Sequence, residues 1–444
     1  MDLKAIREKI KAAKIDTLRV EFPDMFGISR GKFVPAGRLD EVVKEGINCA
    51  KPTFSLDLNY NIPEGTGTAE EVNYEDMTII PDLDTFTVVP YQEGVARFIG
   101  DIYADGKPFP YSPRGLLKNV VKKYKARGLT PITATELEFF LFKPNGDALD
   151  YYCDKPSNVY TANPRSDAIG LLRTIQNTLI DMGIDVLYSN HEFFQGQYEI
   201  NWKHDEAMKV ADQSFTFKAV CKEVAHMNDL LLTFMGRPKD EMGGSGYHLH
   251  LSINDRDSGK NLFDDPNGKD GISDMMRHFI GGQLAHARAM TLLFMPTINS
   301  YKRTVIGNFA PYYIAWGLDN RSTYIRVPGD RGQGTRVENR APCATANPYL
   351  AAAAALLAGL DGIEKKTDPG DYYEGDIYGA DPGDFDTVPF YMQDAIEAFK
   401  KDEVLCEAIG PEIVQNILAI RENEVERFRT AVTEWEFNEY AYHL

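Results

Sequence analysis

Residues Thr133–Phe142 read TATELEFFLF, a run with the content of a core strand that nevertheless carries two carboxylates, Glu136 and Glu138. Side chains two apart on a strand point the same way, so these glutamates share one face while Leu137 and Phe139 pack on the other. The spacing recurs. His248 and His250 alternate with Leu249 and Leu251 in GYHLHLS, and Arg336, Glu338 and Arg340 alternate in TRVENRAP. In NHEFFQGQYEIN, Glu192 and Glu199 bracket a turn-like QGQ that can return the second carboxylate toward the first.

Taken singly, each pair reads as the solvated face of an antiparallel sheet. Together, beside FFLF, EFF and AAAAALLAG, they mark strands covered from water. Clustered carboxylates there need cations, because an unpaired buried charge is costly. Glutamates with one or two histidines suit Mg²⁺ or Mn²⁺. Zinc fits poorly, since HEFFQ lacks the second histidine of H-E-x-x-H. Arg303, Arg321, Arg326, Arg336 and Arg340 add forks for phosphate oxygens, so metals and arginines together predict a polyphosphate site. The chain has neither a P-loop nor a G-x-G-x-x-G, so a nucleotide is held by another route. GGSGYHLH and GDRGQGTR are glycine-rich, each a weak signal alone.

A net charge of -18 argues against nucleic acid or an anionic membrane as partner. An odd set of five cysteines with no C-x-x-C supports neither a disulfide framework nor a zinc ribbon. No signal peptide or membrane span is legible, and a cytoplasmic location is expected. NPYLAAAAALLAGLDGI reads as a buried helix.

The first hundred residues open with an amphipathic helix and continue as strand-like runs: DTLRVEF, KFVP, MTIIPD and TFTVVPY. Pro108, Pro110 and Pro113 form an extended linker, and Ser112 with Pro113 open a helix. We therefore expect a small domain over 1–108 and a large one over 109–444. In the latter, strands alternate irregularly with helices over 167–182 and 274–292. That order predicts α+β with a largely antiparallel sheet. DPGDYYEGDIYGADPGDF reads as a surface excursion.

Taken in order, TELEFFLF, HEFFQGQYEIN, GGSGYHLHLS, NSYKR, NRSTYIRVPG, TRVENRAP and ANPYLAAAAALLAGLDGI resemble the glutamine synthetase family across nearly the whole chain. The resemblance implies a β-grasp N-terminal domain and a catalytic domain with a curved antiparallel sheet flanked by helices. ATP would enter one end of a funnel and glutamate the other. It implies Glu138, Glu192 and Glu199 as ligands of one metal and Glu136, His248 and Glu338 of a second, with two or three Mg²⁺ or Mn²⁺ per site. His250, Ser252, Arg326 and Arg336 would lie near ATP. Arg303 and Arg340 would bind glutamate with Gly244 and Phe309 beside them, and Arg321 would meet the transferring phosphate. Asp57 resembles an aspartate that orients ammonia in a neighbouring subunit's site. The family forms stacked rings, usually dodecamers of two hexamers, with active sites between subunits.

The chain departs from the ammonia-using pattern. Phe309 stands at a flap position where a glutamate is usual, Gly243 where an asparagine contacting glutamate is common, and Cys343 where an aspartate follows RAP. An aromatic flap resembles members that ligate larger amines, such as γ-glutamylputrescine synthetases. The expected reaction joins an amine to the γ-carboxylate of glutamate through γ-glutamyl phosphate, the amine larger than ammonia. The alternatives are an ordinary glutamine synthetase, a catalytically silent relative or a guanidino kinase-like phosphotransferase. Glu338→Ala is expected to abolish turnover with the fold intact.

Overall fold

The computed structural model describes residues 1–146, 148–153, 159–304, 310–381 and 383–444. Helix α1 (Leu3–Ala12) starts at Asp2, whose side chain accepts from the amide of Ala5. Strands β1 (Thr17–Pro23) and β2 (Ser29–Pro35) follow, then helix α2 (Leu39–Glu45). The small sheet is completed by β3 (Ile47–Ala50), β4 (Asp76–Pro81), β5 (Thr87–Val88), β6 (Val95–Ala104) and β7 (Lys107–Pro108). Its order is β2-β1-β6-β4-β3, with β5 and β7 also on β6. One pair, β1 with β6, is parallel, an arrangement that fits a β-grasp.

Beyond Pro108, Ser112 accepts from the amide of Gly115 and starts α3 (Pro113–Lys125), as Ser-Pro predicts. Strand β8 (Leu129–Asn145) is the spine of the larger sheet. It pairs with β9 (Ala148–Tyr151), β11 (Gln197–Trp202), β12 (Asp205–Glu206), β13 (Leu231–Thr233) and β14 (Tyr247–Asp255); β10 (Val186–His191) pairs with β11. The order continues through β17 (Val337–Asn339) and β16 (Ile325–Val327) to β15 (Trp316–Leu318), and only β15 and β16 run parallel among the described pairs.

Leu137, Phe139 and Leu141 on one face of β8 are fully buried. They are covered by α5 (Ala207–His226), on which α4 (Leu171–Asp181) packs in turn, with Phe217 against both Phe139 and Trp202. The opposite face carries the charges. The expected helix over 274–292 is two, α6 (Asp274–Ala285) and α7 (Ala287–Phe294). Between them His286 is held by Asp402 at 2.6 Å and Asp361 at 3.2 Å. Helix α8 (Pro348–Lys365), the alanine-rich segment, is buried as expected and packs on α3, α5 and α6.

The acidic excursion does not simply lie on the surface. Ile377 is fully buried, Tyr378 packs on Tyr312 at 5.5 Å and Tyr373 on Phe385 at 5.4 Å. Aromatic content, and not acidity, decides its place. Among the described residues no helix is long and apolar enough to cross a membrane.

Candidate active site

Directly opposed residues of an antiparallel pair lie on the same face, and here the register carries charge from strand to strand. Asn190 of β10 faces Glu199 of β11, which faces Glu138 of β8. One step along, Asn201 faces Glu136, which faces His248 of β14. His250 then faces Glu338 of β17, and Glu338 faces Arg326 of β16. The two-residue spacings seen in the sequence thus form one polar surface.

Its two halves differ in electrostatics. Glu338, with no side-chain exposure, accepts from Arg326 at 2.7 Å and from Arg340. Burial alone would push its carboxyl up; Arg340, then the two histidines, hold it down at about 2. Glu136 lies 3.1 Å from His248 Nδ1 and 3.0 Å from His250 Nε2. These contacts overcome burial and keep it well below the carboxylate range. Among the described residues, no lysine, arginine or histidine is ion-paired with the glutamates of the other half. Burial, then Glu138, pushes Glu192 up to about 7, and burial, then Glu136 and Glu138, pushes Glu199 well above its ordinary value. Amides replace cations there: Asn190 donates to Glu192 at 2.7 Å, Asn201 to Glu199 at 2.8 Å and Gln197 to Glu138 at 2.8 Å.

Carboxylates destabilised by one another, with oxygens oriented by neutral amides, fit a hard divalent cation. Glu138, Glu192 and Glu199 would hold one ion. Among the described residues, ligating atoms of Glu136, His250 and Glu338 lie within 4.8 Å of one another, with His248 3.6 Å from Glu338. His250, expected with the nucleotide, therefore stands in the second cluster beside His248.

Two chambers open on this surface. One, about 990 Å³, is lined by Glu136, Glu138, Glu192, Glu199, His248, Gly244, Arg303, Arg321 and Arg340. The other, about 480 Å³, contains Glu136, His250, Ser252 and Arg336. Arg326 reaches Glu338 from outside both.

Asp57 is not brought to either chamber. Its carboxylate accepts from the amides of Asn59 and Asn61 and lies 3.4 Å from Arg427. Phe309 lies outside the described residues.

Three glycines of GGSGYH each leave room for a functional side chain. A Cβ on Gly243 would stand 2.0 Å from the ring of Phe194, one on Gly244 2.0 Å from Cγ of Arg303, and one on Gly246 2.8 Å from Nε2 of His248. The ring of Phe194 thus fills the space that a side chain at 243 would need.

Comparison with known proteins decides the family. Residues 110–440 match the description "Glutamine synthetase, catalytic domain". The chain belongs to the glutamine synthetase family. Glutamine synthetase from Halobacterium salinarum is 37% identical over 98% of this chain and 96% of its own. That from Pyrococcus abyssi is 38% identical over 94% and 95%. A solved structure titled as a GmaS/ADP complex superposes with a TM-score of 0.89 at 32% identity, covering 99% of each chain. The protein is accordingly a ligase of the glutamine synthetase type, from a family that generally depends on ATP and divalent metal.

Cys343 is fully buried, and its side chain lies close enough to act on the ammonium of Lys218. Lys218 donates to the carbonyl of Ala346 at 2.9 Å and lies over the ring of Phe234. Burial, then Lys222, pulls its ammonium down to about 7. A lysine with a lowered folded pKa destabilises the fold fully below that value, and the penalty fades as pH rises toward the ordinary lysine range. Cys343→Asp supplies an anion, so it is expected to add about 1–2 kcal/mol of stability at neutral pH. Thermal melts at pH 7 and 9.5 check this: the gain should shrink at the higher pH.

Proposed function

We propose that this glutamine synthetase-family ligase joins an amine larger than ammonia to the γ-carboxylate of glutamate, using ATP and forming γ-glutamyl phosphate. The observation that carries the reading is the composition of the larger chamber. Arg303, Arg321 and Arg340 line it together with the carboxylates, and Val159, Tyr160, Leu172, Phe193 and Phe194 add apolar wall. The arginines suit an anionic acid, and the wall suits a carbon chain better than a bare ammonium.

In this reading ATP lies in the smaller chamber with its phosphates toward Arg326, Arg336 and His250, and Ser252 lines the base end. Arg303 and Arg340 bind the carboxylates of glutamate, beside Gly244. Bound divalent ions would neutralise carboxylate and phosphate oxygens, allowing two anions to approach. The γ-carboxylate oxygen bonds to the γ-phosphorus, the bond to the β-phosphate oxygen breaks, and Arg321 meets the moving phosphoryl group. The amine nitrogen then bonds to the acyl carbon, phosphate leaves, and a carboxylate takes the amine's proton. We assign the orienting of the incoming amine to Asp57 of a neighbouring copy.

Rings of copies, two hexamers stacked as a dodecamer, would bring such residues together. Trp435, Phe437 and Tyr442 at the C-terminal end are exposed, which supports self-association. The unpaired thiols of Cys49, Cys221, Cys343 and Cys406 support a reducing cytoplasm.

The test is ADP release with ATP, Mg²⁺ and glutamate while the amine is varied among ammonium, methylamine, ethanolamine and putrescine. At least one organic amine should exceed ammonium in kcat/KM by about tenfold. Saturation by low ammonium would instead support a glutamine synthetase proper, the second reading, which the names of the relatives favour. No release with any amine would indicate a silent relative.

A further inference from the structure

Glu136 and Tyr188 are the two described residues that line both chambers. Glu136 belongs to the carboxylate cluster; Tyr188 has no role in what precedes. It reaches this position through an irregularity in β10. Val186 opposes Trp202, yet Tyr188 opposes Asn201, so Leu187 is an extra residue and the strand carries a β-bulge. Bulges re-aim side chains and occur beside active sites. Here the bulge sets Tyr188 in the cross-strand row Tyr188, Asn201, Glu136, His248. Trp202, next to Asn201 on β11, points to the opposite face, where its ring packs on Phe217 at 5.1 Å.

A tyrosine used only for packing would be buried. Tyr188 is 54% exposed, with a chamber on either side. Asn201, its strand partner, donates to Glu199 at 2.8 Å, while its own Oδ1 is buried without a hydrogen-bond partner. The Tyr188 side chain itself interacts with Asn201 and lies near Glu136 and Glu199, so the ring stands against the carboxylate surface.

We propose that the ring of Tyr188 is the partition between the nucleotide and acid chambers and couples ATP consumption to ligation by keeping water out of the line of transfer. The inference rests on the ligase reading above. Without the ring, water can take the amine's place. Its oxygen bonds to the acyl carbon of γ-glutamyl phosphate, the bond from that carbon to the phosphate oxygen breaks, and glutamate and phosphate leave after ADP has formed. One proton of the water ends on the phosphate, the other is released to solvent as the carboxyl group ionises, and nothing is oxidised. An apolar barrier that excludes water from a reactive intermediate is a recognised source of such selectivity.

The test uses the full chain with saturating ATP, Mg²⁺, glutamate and its best amine, reading ADP and amide separately. Wild type and Tyr188→Phe should release ADP and amide in nearly equal amounts. Tyr188→Ala should raise the ADP-to-amide ratio by about threefold or more and increase ADP release without amine. Should Tyr188→Ala lose its cooperative melt, Tyr188→Leu, apolar but shorter than the ring, serves for the same measurement. A truncated variant with the wild-type ratio overturns the partition, as does uncoupling in Tyr188→Phe, which would assign the effect to the hydroxyl. A wild-type chain that releases no ADP with any amine refutes the ligase reading itself, whereas a coupled wild type beside an equally coupled Tyr188→Ala refutes only the partition.

Discussion

Glu338→Gln is expected to lower ATP turnover by about 10²–10³-fold while the chain remains folded. Glu338 is where strand register brings His250 and Arg326 together, with Arg340 two residues on, and against burial Arg340 and the histidines hold it ionised. The amide keeps the shape and loses the charge that Glu338 contributes to its cluster with Glu136 and His250. Glu338→Ala is a different perturbation, and the sequence-based expectation of an intact fold does not suit a side chain with no exposure between two guanidinium groups. Removing one partner of a buried ion pair costs about 3–5 kcal/mol, so the alanine variant should melt early as well as fail to turn over. Steady-state kinetics and thermal melts of both variants check this. Turnover by Glu338→Gln within tenfold of wild type would mean that the carboxylate is not part of the phosphoryl-transfer machinery.

The charged surface was legible because strand spacing is a local property. Glu136 with Glu138, and His248 with His250, are placed on common faces by the two-residue repeat alone. What that repeat cannot distinguish is which of two histidines on one face meets a given carboxylate. His250, assigned to the nucleotide by resemblance, lies beside Glu136 together with His248, because the two antiparallel registers around β14 set both rings toward it.

Tyr188 escaped notice although it shares a two-residue spacing with Asn190 and Glu192, a signal that was available. Its meaning depends on the bulge at Leu187, and a bulge is decided by pairing with β11, which no local pattern contains. Strand β6 was missed for a related reason. Its run VARFIGDIYA breaks the apolar alternation with Gly100 and Asp101, and only its central place between β1 and β4 covers it. Asp57 resembles a site residue, yet the backbone amides of Asn59 and Asn61 tie it down outside both chambers, so any catalytic part it plays requires another copy of the chain.

Divalent metal should stabilise the protein far more at pH 7.5 than at pH 5. In the metal-free fold Glu192 is pushed up to about 7 and Glu199 well above its ordinary value, burial first and neighbouring carboxylates next. The unfolded chain gives up these protons near the ordinary glutamate value. Between that value and about 7 the folded state therefore holds more protons, so the metal-free protein loses stability as pH rises through the window. For Glu192 the loss amounts to about 3 kcal/mol, a few degrees in Tm for a chain of this size. Metal binding requires the ionised carboxylates, displaces those protons and replaces mutual repulsion with coordination, so its stabilising effect grows over the same window. Melts with excess Mg²⁺ and with EDTA at the two pH values give the two shifts. Calorimetric titration of Mg²⁺ in buffers of different ionisation enthalpy should show proton release that diminishes above neutral pH. Equal Mg²⁺-induced shifts at pH 5 and 7.5, with no proton release, would show that Glu192 and Glu199 already stand ionised without the metal, and that something other than the ion holds this half of the surface together.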